Sequence, residues 1–328
     1  MLRRMVAFVL ALVLYTDFVP IQARPDTTTR AAVQEYQPPP GADLIAIYSA
    51  ARQAMLAGDD AQAAAILLWL WDHSLEREPA YVGVRMGSVA SELGNLASRH
   101  DPTREAIRER RHQLQRAVDA DPTGVDINKL RDWGRLNQIL SDETATLAWW
   151  DKVKEATDDP GVSERAAAME LILRDPLLEH LRWAELARLY PDPELYSERR
   201  IELMQHLVKT YEQDEGLAAL PIPQEQREQM RQRSLQRVRD SFREDVAVVY
   251  AALLAAERDD QAGKLAASAA VADETPAALR LALVDMAIGA GEIRAEHEAW
   301  LTEAEQQGHL APQARQLRQW LANHRQQP

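Results

Sequence analysis

The sequence contains no cysteine. Disulfides, zinc–thiolate and iron–sulfur sites and cysteine nucleophiles are thereby excluded. Glycine is scarce, at 13 of 328 residues, and aromatic residues make up only 6%. No stretch alternates apolar and polar residues over the length of a strand, so an all-helical protein is expected. Lysine occurs only at Lys129, Lys152, Lys154, Lys209 and Lys264, leaving arginine to carry most of the positive charge. Acidic residues still dominate, with a net charge of −13. That sign repels nucleic acid and anionic membrane surfaces, and no nucleic-acid partner is expected.

The apolar run at residues 5–15, "MVAFVLALVLY", is shorter than the roughly 20 residues a bilayer requires. It follows Arg3 and Arg4 and precedes "IQA", which ends at Ala23. A basic start, a short apolar centre and a small residue at the end read as a signal peptide over residues 1–23. The mature chain is then periplasmic or secreted and has no transmembrane helix; an uncleaved N-terminal membrane anchor is the alternative. Residues 24–41, "RPDTTTRAAVQEYQPPPG", lack periodicity and read as a flexible, proline-rich tether.

From residue 42 onward the chain is punctuated by Asp-Pro pairs at 101–102, 121–122, 159–160, 175–176 and 192–193. Aspartate caps orphan amides at a helix start, and proline tolerates the first helical position, so each pair is expected to open a helix. Apolar periodicity fills in about fourteen helices, including 80–99, 162–174, 177–189 and a long one over 223–258. The stretch "LAALPIP" at 217–223 divides a helical-repeat domain, 42–220, from a C-terminal helical-repeat subdomain, 221–328.

Two hairpins carry a further signal. In "ARQAMLAGDDAQAAAILLWLW", Gly58 and Asp59 turn the chain and Ala63 presents a small residue to the preceding helix; "ALLAAERDDQAGKLAASAA" at 252–270 repeats the plan without the turn glycine. These hairpins resemble degenerate tetratricopeptide repeats. The resemblance implies a right-handed solenoid of antiparallel helical hairpins and a role in protein–protein interaction.

No phosphate loop, dinucleotide fingerprint, zinc-protease helix or nucleophile elbow occurs. No catalytic residue, cofactor or metal site is assigned. His297, between Glu296 and Glu298, reads as a surface histidine on a charged helix. Trp69 and Trp71 are two residues apart and point to different faces, as do the adjacent Trp149 and Trp150. Arginines cluster in "TREAIRERRHQLQR" (103–116) and "REQMRQRSLQRVRDSFR" (227–243), where i, i+4 pairing is the default and an anionic partner the alternative.

In "YVGVRMGSVASELGNLA", residues 81–97, a helical wheel puts Gly83, Gly87, Ala90, Gly94 and Ala97 in one stripe. That stripe is expected to receive a closely packed neighbouring helix. Arg85 flanks it and has two candidate partners, Glu92 on its own helix or Asp132 beside Trp133. Arg85, Trp71, Asp132 and Trp133 are the candidate binding residues. Together these features describe an exported, non-catalytic scaffold or adaptor with another envelope protein as partner. The alternative is a periplasmic glycan-processing enzyme using a carboxylate pair inside a helical array, similar to soluble lytic transglycosylases in architecture alone.

Overall fold

The structure, a computed structural model, describes Val33 and residues 35–213 and 222–324. The expected signal peptide, most of the expected tether and residues 217–221 of the expected boundary lie outside these residues. Every regular element among the described residues is helical. Fifteen helices lie among the described residues when Val82–Ala97 is counted as one. They are α1 Leu44–Leu56, α2 Asp60–Arg77, α3 over 79–97, α4 Asp101–Ala120, α5 Ile127–Leu140, α6 Glu143–Val153, α7 Pro160–Ala168 and α8 Glu170–Glu179. The short α9 Trp183–Leu186 leads to α10 Pro193–Glu212, α11 Gln224–Ala255, α12 Asp259–Ala272, α13 Pro276–Ala290, α14 Ala295–Gln306 and α15 Ala311–His324. Most helices pack on their chain neighbours, and α3 on α5, α10 on α12, α11 on α13 and α13 on α15 add contacts between next-but-one helices.

Helix starts follow the capping chemistry only in part. Asp159 accepts from the amides of Gly161 and Val162, and Asp192 from that of Leu195, each ahead of a proline at the first helical position. The pair at 121–122 forms a turn instead, with Asp121 accepting from Gly124, and α5 begins only after Asp126. Pro176 lies inside α8 rather than at its start. Its missing N–H costs a backbone bond, but Ile172, Leu173, Pro176 and Leu177 are buried together, and that burial offsets the loss. The segment expected at 162–174 is broken at Met169 between α7 and α8.

The core has three clusters. One gathers Ile47, Leu67, Trp71, Leu93, Leu96 and Leu136 from α1–α5; the largest runs from α4 to α13; a third joins α13, α14 and α15. Helix α5 contributes to two of them, sending Leu130 and Trp133 into the large cluster and Leu136 into the first. On the same helix, a Cβ added at Gly134 would sit 2.5 Å from Met169 Cε and 3.0 Å from Ile172 Cδ1. The long helix α11 extends for 32 residues and is buried mainly over its second half, Phe242 to Leu254. Met230, near its start, is exposed.

His297 is a correction to the sequence reading, because it is fully buried. It occupies the third position of α14, where its Nδ1 accepts from the Arg294 backbone N–H at 3.1 Å. A neutral ring that accepts at Nδ1 carries its proton on Nε2, which lies 2.8 Å from the Tyr250 hydroxyl. Capping thus turns the ring inward, and burial lowers its pKa.

Candidate functional site: an arginine-lined cleft beside a buried ion pair

Helix α3 is irregular where the sequence looked uniform. It begins as a 3-10 turn at Pro79–Tyr81, runs as α-helix through Val82–Val84, widens to a π turn at Arg85–Val89 and resumes as α-helix at Ala90–Ala97. A π turn takes one extra residue into the helix and re-aims the side chains beside it. Arg85, its first residue, is 5% exposed. Its Nε donates to the Trp71 carbonyl at 2.7 Å, and its two terminal nitrogens donate to the two Asp132 oxygens at 2.5 and 2.7 Å. The guanidinium lies 4.1 Å from the centroid of the Trp71 ring. Planar fork, carboxylate and indole face together tie α2, α3 and α5 at one point.

The structure therefore brings Arg85, Trp71 and Asp132 together. Trp133 goes elsewhere: it is fully buried in the large core, and its Nε1 donates to Gln115 Oε1 at 2.8 Å. Glu92, the other candidate partner of Arg85, instead accepts from the Tyr48 hydroxyl at 2.8 Å. Of the paired tryptophans, Trp71 is buried, while Trp69 meets Tyr36 edge-on and lies under Arg77. Trp149 and Trp150 are both buried but diverge, one donating to Pro122 O and the other to Glu185.

The glycine stripe is the second correction. Gly83 and Gly87 are exposed, and a Cβ on Gly83, Gly87 or Gly94 would meet nothing within 4 Å. The face is therefore open at its three glycines, although Ala90 and Ala97 of the same stripe are buried in the core. Over its C-terminal half the stripe forms part of a cleft of about 450 Å³, lined by Ala90, Gly94 and Ala97 from α3, Arg104 and Arg108 from α4, and Arg135, Ile139 and Leu140 from α5. Small residues hollow this face, and the two neighbouring helices supply arginines to its rim.

The three arginines are not equivalent. Arg104 donates to the last carbonyls of α3, Ala97 O at 2.8 Å and Ser98 O at 3.3 Å, with Asp101 at 3.7 Å. Arg108 pairs with Glu105 at 2.5 Å. For Arg135, by contrast, the single hydrogen bond among the described residues is from Nη1 to Gln138 Oε1 at 2.8 Å; no carboxylate among them pairs with it, and its Nε is buried without an acceptor. Burial alone lowers its pKa. Asp132, one helical turn earlier on the same helix, is well placed by spacing to neutralise Arg135. Both its oxygens are committed to Arg85.

Sequence reasoning grouped Arg104 and Arg108 with their charged helix but did not single out Arg135. The available signal was Arg135 three residues after Asp132, at a spacing that suggests a pair and conceals the competition for the carboxylate. Elsewhere, burial and then the charge of the neighbouring Glu179 raise the pKa of Glu143. Among the described residues no group of three or more histidine, aspartate or glutamate side chains is arranged to hold a metal ion, and no helix is long and apolar enough to cross a membrane. No protein-family model, curated protein or solved structure matches the chain.

Proposed function

We propose that the protein is an exported, non-catalytic docking protein of the cell envelope, a solenoid of helical hairpins that holds a partner protein at the cleft between α3, α4 and α5. The observation that carries the reading is Arg135, a cation lining a cleft and left without a carboxylate in a chain whose net charge is −13. A half-buried, unpaired charge is costly. A fold that spends two carboxylate oxygens on Arg85 and none on Arg135 keeps a positive site available to something outside the chain. The basic start and short apolar run at residues 3–15 support the export part of the reading, and the next-but-one packing of the helices supports the solenoid part.

The test compares three forms of the full chain as bait in an envelope extract from the source organism. Gly94→Leu fills the cleft, and Gly83→Leu adds the same side chain to the open face outside it. One partner retained by wild type and Gly83→Leu, and lost with Gly94→Leu, supports docking at the cleft. Equal recovery by all three forms excludes it.

A further inference from the structure

We infer that the cleft binds a carboxylate carried on an apolar residue of the partner, with Arg135 as the anchoring cation; this rests on the docking reading above. The first argument is the local charge balance. Arg104 faces Asp101 and Arg108 is paired with Glu105, so the charge of Arg135 is the one without a carboxylate. The C-terminal end of α5 supplies only a fraction of a negative charge, screened by solvent. A single uncompensated positive charge matches a monoanion, and a phosphate dianion would bring more negative charge than the cleft leaves unmatched.

The second argument is the lining. Ala90, Gly94, Ala97, Ile139 and Leu140 give the cleft an apolar side next to the arginines. With no side chain at Gly94 and none within 4 Å of where its Cβ would be, there is room for an aliphatic group beside the guanidinium. A volume of about 450 Å³ falls within the usual range of small-ligand pockets. A peptide's terminal carboxylate next to an aliphatic side chain presents both parts together.

The third argument concerns Asp132. If Asp132 were free to swing toward Arg135, an incoming carboxylate would have to displace it. The bidentate bond to Arg85 holds it away, so Arg85 acts as a positioning residue for the site without facing the ligand.

N-acetyl-leucine is the probe, with N-acetyl-leucinamide as the uncharged control and inorganic phosphate as the dianion. Binding to the full chain is followed through arginine side-chain NMR signals and by calorimetry. N-acetyl-leucine is expected to shift the Arg135 guanidinium signal in a saturable manner, and the amide to bind at least about tenfold more weakly. Gly94→Leu is expected to abolish the shift. Arg135→Met keeps the stem and removes the charge; it is expected to lose binding while the ligand-free melting temperature holds or rises, because an uncompensated charge has gone. A purely structural Arg135 predicts the opposite, a fall in melting temperature. Equal binding of acid and amide, or tighter binding of phosphate, overturns the carboxylate assignment. No shift with N-acetyl-leucine, combined with loss of the partner in Gly94→Leu, overturns this inference and leaves the docking reading standing. Partner recovery unaffected by Gly94→Leu removes the docking reading itself.

Discussion

Two helical glycines on adjacent elements give opposite responses to the same methyl group. Replacing glycine by alanine within a helix gains about 1 kcal/mol, because alanine has less backbone freedom to lose. At Gly94 the added Cβ meets nothing within 4 Å, so most of that gain should survive. At Gly134 it lies 2.5 Å from Met169 Cε and 3.0 and 3.1 Å from two carbons of Ile172. The methionine end can swing aside, but the branched Ile172 is packed within α8 and cannot. Overpacking of this kind costs about 1–3 kcal/mol, which leaves Gly134→Ala destabilised by about 1 kcal/mol and separates the two variants by about 2 kcal/mol. Equilibrium urea denaturation reads that difference directly, and melting temperatures should differ by several degrees. Leucine widens the contrast, severe at 134 and small at 94. Equal losses for Gly94→Leu and Gly134→Leu would refute the account, because they would mean that the open face of α3 is packed after all.

The buried ion pair makes a second prediction: Arg85→Ala should cost about 3–5 kcal/mol by leaving Asp132 unpaired, and the Arg85→Ala/Asp132→Ala double variant should lose less than the sum of the single losses. His297 has a folded pKa below its ordinary value, so the unfolded chain takes up the proton first. Its contribution is complete above about pH 6.5 and is lost as the pH falls below that, with a slope of up to about 1.4 kcal/mol per pH unit that His297→Gln should flatten in denaturation curves. Burial and then the charge of Glu179 raise the Glu143 pKa in the folded state, so the two carboxylates oppose each other when both are ionised. Glu179→Gln should therefore stabilise the protein at neutral pH, and the gain should fade as the pH drops through about 4, where carboxyls take up protons.

Helix content was legible because it depends on periodicity, which survives in a single sequence. The long helix α11 was readable from its stripe, and Asp159 and Asp192 from their prolines, since those interactions are local. Asp121 and Pro176 carry the same two-residue signal with other outcomes, decided by tertiary burial and by Asp126, a competing cap. Arg85 and Asp132 were readable as possible partners, though spacing left Glu92 equally available. Its resolution required the π turn, which no residue pattern announces. The glycine stripe was visible as a regularity, but a bare helix face looks the same in sequence whether it receives a neighbouring helix or borders an open cleft. Gly134, the glycine that does admit a close neighbour, stands alone in its helix and belongs to no stripe. His297 was misread because flanking glutamates describe the helix surface and say nothing about the ring's role at the helix start.

The π turn at Arg85–Val89 sets the phase between the two halves of α3. Removing one residue from it would restore an ordinary α-helix and rotate Ala90–Ala97 by about 100° relative to Val82–Val84. If Arg85 kept its grip on Asp132, Gly94 would leave the cleft and a polar face would take its place; if Gly94 stayed, the guanidinium would turn away from Trp71. The chain's length across five residues thus works as a gauge, and an insertion or deletion there would separate clamp from cleft although both sets of side chains were still present.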